Sequence, residues 1–294
     1  MGFVTSRRLR ERSATLAIAV LALSACDNER ALSEDVGRRS APGEAAARAR
    51  TSDGTLAVRG DPPFDAGAAL SRSGTSYVGR STVVVSASAV TGRVRGGERL
   101  ALDTTVVPTH DLSSCRAFSE PLVSSRADGI GDVVVWLDGV SAGPMDTSPR
   151  RAVLRLSGCR LSPGIQRVAT GGTVLLSSAD PMRSRLTFRD EGSAASTRDV
   201  VSFSDDGQTV PSSRIAARPG IVAVRDDLHP WVHAWIVVTP HPFVAITGDD
   251  GAFRFDSVPP GSYTLMAWSA RLGVRSRPIR VSRGKDNTVE VTFP

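Results

Sequence analysis

From about residue 80 to the C-terminus, short runs of β-branched and aromatic residues recur at a spacing of roughly ten, with Gly, Pro, Asp and Ser between them. The runs fall at residues 82–85, 132–137, 152–156, 173–176, 200–203, 232–238, 253–255, 263–268 and 288–293. Helical periodicity is absent from this stretch, so the expected fold class is all-β, sheets packed face to face as a sandwich. The 294 residues suffice for one large β domain or two small ones with a real core.

The N-terminus has a different texture. Arg7, Arg8, Arg10 and Arg12 precede a nine-residue apolar run at residues 15–23. Positive charge stays on the cytoplasmic side, and the run fits the roughly 7–15 residues of a secretory signal while falling short of the ~20 that span a bilayer. Leu23-Ser24-Ala25-Cys26 follows at once. Small residues before a cysteine resemble the lipobox of bacterial lipoproteins, in which the thiol is lipidated before cleavage. Residues 1–25 then read as a lipoprotein signal peptide. Acyl chains on Cys26, at ~0.8 kcal/mol per buried methylene, would anchor the chain to a membrane. The expected location is the cell envelope, on the periplasmic side of the inner or outer membrane.

Residues 26–75 are rich in Arg, Ala, Ser, Gly, Asp and Glu, with Phe64 the only aromatic. So little apolar surface does not offset the entropy of ordering, and the segment reads as a disordered tether. Charge excludes one class of partner. The chain carries +6 overall, but residues 1–25 hold four arginines against Glu11, which leaves +3 for the rest. Without a basic run interleaved with aromatics, nucleic acid is not an expected partner.

With Cys26 lipidated, Cys115 and Cys159 remain as a pair in an oxidising compartment. A disulfide is the expected outcome; buried thiols or thiolate metal ligands are the alternative.

Several segments resemble a bacterial envelope family that joins a cupredoxin-like domain to a carboxypeptidase regulatory-like, transthyretin-like tail. They include Val90-Thr91-Gly92-Arg93-Val94, Gly131-Asp132-Val133-Val134-Val135-Trp136-Leu137 after Cys115, and Cys159-Arg160-Leu161-Ser162-Pro163. Gly172-Thr173-Val174, Ser178-Ala179-Asp180 and His229-Pro230-Trp231-Val232-His233-Ala234-Trp235-Ile236 continue the match. The most specific stretch is the tail, Phe243-Val244-Ala245-Ile246-Thr247, Asp250-Gly251-Ala252-Phe253 and Val258-Pro259-Pro260-Gly261-Ser262-Tyr263-Thr264-Leu265. The resemblance implies a cupredoxin-like or Ig-like sandwich over residues 76–240 and a regulatory-like β tail over 241–294. About 55 residues make a thin sandwich, so the tail's first strands are expected from upstream, around Gly92–Val94. Asp250-Gly251 reads as a hairpin turn needing positive φ, and Pro260-Gly261 as a type II turn.

Cupredoxins hold copper with two histidines, a cysteine and a weak axial methionine. Here Pro181-Met182-Arg183-Ser184 lacks the first histidine, Arg225-Asp226-Asp227 stands where the thiolate is wanted, and Val232 stands where Met would follow; only His229 remains. No copper or other cofactor is expected. A non-blue metal set is conceivable on His229 and His233, which share a face if the segment is a strand, with Asp227 joining them. Asp249, Asp250 and Asp256 read as turn chemistry before calcium ligands.

A nucleophile beside a base is not identifiable, and there is neither a Gly-x-Ser-x-Gly elbow nor a Gly-rich phosphate loop. His110, in Pro108-Thr109-His110-Asp111, reads as a loop residue. The chain is therefore expected to be a non-catalytic, membrane-tethered binding or scaffolding module with a protein or glycan partner. Carbohydrate binding is the alternative with named residues: Trp231, Trp235 or Trp268, if exposed, would stack on a sugar ring, although in a chain with only 5% aromatic residues they are first expected to fill the core.

Overall fold

The computed structural model describes residues 56–57, 65–81, 87–96, 103–121, 123–193, 195–285 and 287–294. The signal peptide, Cys26, most of the tether and the run at 82–85 lie outside the described residues. All described residues belong to one compact unit, Ala45–Pro294.

Four sheets carry the fold. Sheet I runs β11 (Arg160–Ser162), β10 (Arg151–Ser157), β13 (Thr173–Ser178), β16 (Thr209–Ser212). Sheet II runs β12 (Ile165–Ala169), β18 (His233–Thr239), β17 (Gly220–Asp226), β14 (Ser184–Asp190), β15 (Thr197–Phe203). Sheet III runs β1 (Leu56–Ala57), β22 (Gly273–Val281), β21 (Gly261–Ser269), β8 (Val134–Asp138), β19 (Val244–Ile246). Sheet IV runs β20 (Ala252–Val258), β3 (Ser88–Gly96), β7 (Gly129–Ile130), β6 (Ser125–Arg126), and β23 (Asn287–Phe293) also pairs with β3. Two ribbons complete the strands: β2 (Val78–Arg80) with β9 (Ala142–Pro144), and β4 (Asp103–Val106) with β5 (Phe118–Pro121). The described residues are all-β apart from one short helix, as the run pattern predicts.

Alternation along the strands explains how the sheets stack. β10 alternates strictly, with Ala152, Leu154 and Leu156 inward and arginines outward, so sheet I has one wet face. Its partner is sheet II, through Phe188, Val222, Val224, Ala234, Ile236 and Val238. The intervening residues of sheet II are apolar too: Ile221, Trp235 and Val237 face a second core with Val134, Trp136, Val244, Met266 and Trp268 of sheet III. Sheet III in turn gives Val135, Leu137, Leu265 and Ala267 to a third core against Val90, Val94, Phe253, Phe255 and Val291 of sheet IV. Two sandwiches therefore share an apolar seam, and the inner strands read as unbroken apolar runs because both faces are covered. The strands after residue 240 share sheet III with β8 and sheet IV with β3.

The disulfide Cys115–Cys159 is formed, both residues buried in the first core. Three expectations need correction. A tether to residue 75 does not hold for its last part, because α1 (Ala66–Ser73) packs Ala66 and Leu70 into the seam and β1 pairs with β22. Asp65 caps that helix, its carboxylate accepting from the Ala68 N–H at 2.6 Å. Asp250-Gly251 has the positive φ, +75° at Gly251, but joins β19 of sheet III to β20 of sheet IV and is not a hairpin. Gly261 likewise opens β21 outside the left-handed region, so no type II turn forms there. Among the described residues no helix is long and apolar enough to cross a membrane.

Candidate ligand-binding cleft

The three tryptophans singled out by the sequence line one cleft of about 510 Å³ at an end of the seam. Trp231 comes from the turn before β18, Trp235 from β18, and Trp268 from the end of β21 in the neighbouring sheet. The β10–β11 hairpin lines it with Arg160 and Leu161, and β5 with Phe118 and Glu120. A second hollow of about 400 Å³ shares Glu120, Trp231, His233, Trp235 and Arg271, so the cleft continues past this cluster towards Arg225. The main cleft's volume lies within the ~300–1,000 Å³ of small-molecule sites.

None of the three tryptophans is fully exposed. Trp231 and Trp235 are half-buried, and Trp268 is 5% exposed. Strand alternation turns Trp235 away from the first core and into the seam, where it meets Trp268 edge-on at 6.3 Å. Its indole N–H donates to Glu191 at 3.1 Å, and the Arg225 guanidinium lies 4.9 Å from the ring. The aromatics are thus rigid cleft walls: Trp268 is in the core as the core reading expects, while Trp231 and Trp235 are only half-buried.

Polar groups sit among them. His233 Nδ1 donates to the Trp231 carbonyl at 2.9 Å, which puts its lone pair on Nε2. Burial holds the ring's pKa below the usual histidine value, so it is neutral at neutral pH. Nε2 then faces Glu120 Oε1 at 3.6 Å, and Arg271 approaches the same oxygen at 3.7 Å. Two acceptors and a guanidinium in such proximity suit a ligand rich in hydroxyl groups. The Arg160 guanidinium lies 4.6 Å over the Phe118 ring on the cleft's far wall.

His229 and His233 do not share a site. Residues 229–232 form a turn, β18 begins at His233, and the premise that they lie on one strand face fails. Asp227 is also diverted, accepting from Thr187 Oγ1 at 2.8 Å and pairing with Arg185. His229, 1% exposed, lies instead between two carboxylates, with Nδ1 2.9 Å from Asp226 Oδ2 and Nε2 2.9 Å from Asp111 Oδ2. Burial alone would push its pKa down; hydrogen bonds and charge from Asp111 and Asp226 outweigh that and hold it above the usual value.

These residues do not fit a blue-copper centre. Cys115 and Cys159 are disulfide-bonded, so neither offers a thiolate. Asp226 ends β17 where the thiolate is wanted and is saturated, accepting from Ser184 Oγ, the Arg185 and Leu228 N–H groups and His229. Among the described residues only His110, Asp111 and His229 bring three metal-ligating groups together. Sequence reasoning left His110 as a loop residue; it stacks on His229 with ring centroids 5.0 Å apart.

A family model described as polysaccharide lyase family 4, domain II, matches residues 221–289, less than half the chain. That segment contains all three cleft tryptophans. No curated protein matches. Among solved structures, a mutant of amicyanin with Cu(I) is 12% identical over 35% of this chain and 97% of its own, with a TM-score of 0.25. A copper-containing nitrite reductase from Thermus scotoductus SA-01 is 16% identical over 35% of this chain and 25% of its own, also at 0.25. At that score neither likeness adds to what the sheets themselves show.

Proposed function

We propose that this protein is a non-catalytic, lipid-anchored module of the bacterial cell envelope that binds a carbohydrate in the seam cleft. The observation that carries the reading is the convergence of Trp231, Trp235 and Trp268, from two different sheets, on one cleft with Glu120, His233 and Arg271. A sugar presents an apolar ring face and a rim of hydroxyls. Aromatic walls take the first, while a neutral imidazole, a carboxylate and a guanidinium take the second. The family model's description, which names a polysaccharide lyase domain, supports the same ligand class for residues 221–289. The lipobox-like Leu23-Ser24-Ala25-Cys26 supports the anchor. No cofactor enters this reading.

The test is binding of envelope and extracellular oligosaccharides to the mature protein, followed by tryptophan emission. Arg271→Ala removes a side chain that is 47% exposed and touches no core, so it probes the cleft without the fold. Affinity should fall at least about tenfold, or 1.4 kcal/mol, in this variant and in Trp231→Ala. Undiminished binding in both, or binding only to a protein partner, contradicts the proposal.

A further inference from the structure

We propose that His110, Asp111 and His229 form a binding site for a divalent transition-metal ion, with Zn²⁺ the cation their donors suit. The site is neither the His229, His233, Asp227 set read from the sequence nor part of the glycan cleft. One ligand atom from each residue lies within 4.8 Å of the others. Metal bonds of ~2.0–2.2 Å bring tetrahedral ligand atoms to about 3.3 Å apart, so small side-chain movements close the shell.

His229 is already built as a ligand. Its Nδ1–H donates to Asp226, whose side chain is 0% exposed and is fixed by three further donors, Ser184 Oγ, Arg185 N and Leu228 N. A buried carboxylate behind an imidazole fixes ring orientation and tautomer, the arrangement that supports metal-bound histidines. It leaves Nε2 aimed at Asp111 Oδ2, 2.9 Å away, where a cation takes the place of the shared proton.

The other two ligands lie in the turn that leads into the disulfide. Asp111 sits at φ +51°, and its carbonyl accepts from Ser114 N at 2.9 Å and from Cys115 N at 2.8 Å. Cys115 is tied in turn to Cys159. His110 faces the Leu228 carbonyl through Nε2 at 2.5 Å; since a carbonyl only accepts, Nε2 donates and the lone pair is on Nδ1, beside Thr109 Oγ1 at 3.0 Å. Two imidazoles and one carboxylate match zinc chemistry, and three protein ligands leave a fourth position open to solvent. His110 and Asp111 are exposed, so an ion has a path in.

The experiment is calorimetric titration of ZnCl₂ into the metal-free, oxidised mature chain in detergent. One Zn²⁺ should bind per chain and alter the emission of Trp231, whose ring lies 5.0 Å from His110 and 5.4 Å from His229. His110→Ala and Asp111→Asn, both surface changes that leave the cores intact, should each weaken binding at least tenfold; His233→Ala should not. Absence of stoichiometric zinc, binding unchanged in both loop variants, or binding lost only in His233→Ala overturns the proposal.

Discussion

Acidification should remove roughly 2–3 kcal/mol of stability through one buried side chain, His241. Its ring is 0% exposed, between β18 and β19, against Tyr77 and Phe243. Nδ1 accepts from the Phe243 N–H at 3.2 Å, so Nε2 carries the proton and donates to Ser73 Oγ at 3.1 Å; Ser73 passes its own proton to the Leu70 carbonyl at 2.7 Å. A second proton would have to enter at Nδ1, where a backbone N–H already points. Burial pushes the pKa down from the usual 6.5 to about 4, against a weaker opposing pull from Asp146. The folded value is the depressed one, so the unfolded chain takes the proton first as pH falls. The stability is complete above about 6.5, declines between there and about 4, and is then fully lost. With those two values, moving from about pH 7.5 to about pH 4.5 costs about 2–3 kcal/mol from this group alone. The assay is urea unfolding of the oxidised protein at both pH values, beside His241→Gln. Other groups titrate in both proteins, so the difference between the two pH slopes isolates His241. Wild type should lose about 2–3 kcal/mol more than the variant, and amides of α1, tied to the ring through Ser73, should exchange first. A difference below about 0.5 kcal/mol would refute the neutral, buried assignment.

Three further outcomes follow from named contacts. Leu70→Ala should cost about 2–5 kcal/mol in urea unfolding, because Leu70 is 0% exposed in the seam; a cost near zero would mean that α1 belongs to the tether after all. Gly251→Ala should destabilise by about 2 kcal/mol or more in thermal unfolding, since φ is +75° and a Cβ would lie 2.1 Å from the Val94 carbonyl oxygen. Reducing Cys115–Cys159 opens a loop with a sequence separation of 44 and, by chain entropy, should cost about 4 kcal/mol, read as a lowered urea midpoint with reductant.

What the sequence made legible is what has a local signature. Ala152, Leu154 and Leu156 alternate with the outward Arg151, Val153, Arg155 and Ser157, and that alternation identifies β10 on the outside of a sandwich. Val133 to Leu137 is apolar at every position because sheet III is covered on both faces. β14, β17 and β22 were harder to see: arginines punctuate all three, and Pro278 sits within β22. α1 was hidden because its buried face is Ala66, Gly67, Leu70 and Ser73, too little apolar mass to stand out in a polar segment. The tryptophans were visible as candidates, but their convergence was not. Trp268 reaches Trp235 only because two sheets pack through the seam, and no spacing encodes that. His110 meets His229 across 119 positions, through the turn that precedes Cys115. Local chemistry at Pro108-Thr109-His110-Asp111 is that of any loop.

The most direct test of the cleft reading uses the four tryptophans as reporters of one another. A ¹H–¹⁵N spectrum of the mature protein should resolve four indole N–H signals, from Trp136, Trp231, Trp235 and Trp268. Trp136 lies in the seam at 0% exposure and away from the cleft, which makes it the internal control. Titration with a bound oligosaccharide should shift Trp231, Trp235 and Trp268 together along one saturable curve and leave Trp136 in place. Shifts of Trp136 alone, or saturable binding that moves none of the three, would contradict the assignment of the ligand to this cleft.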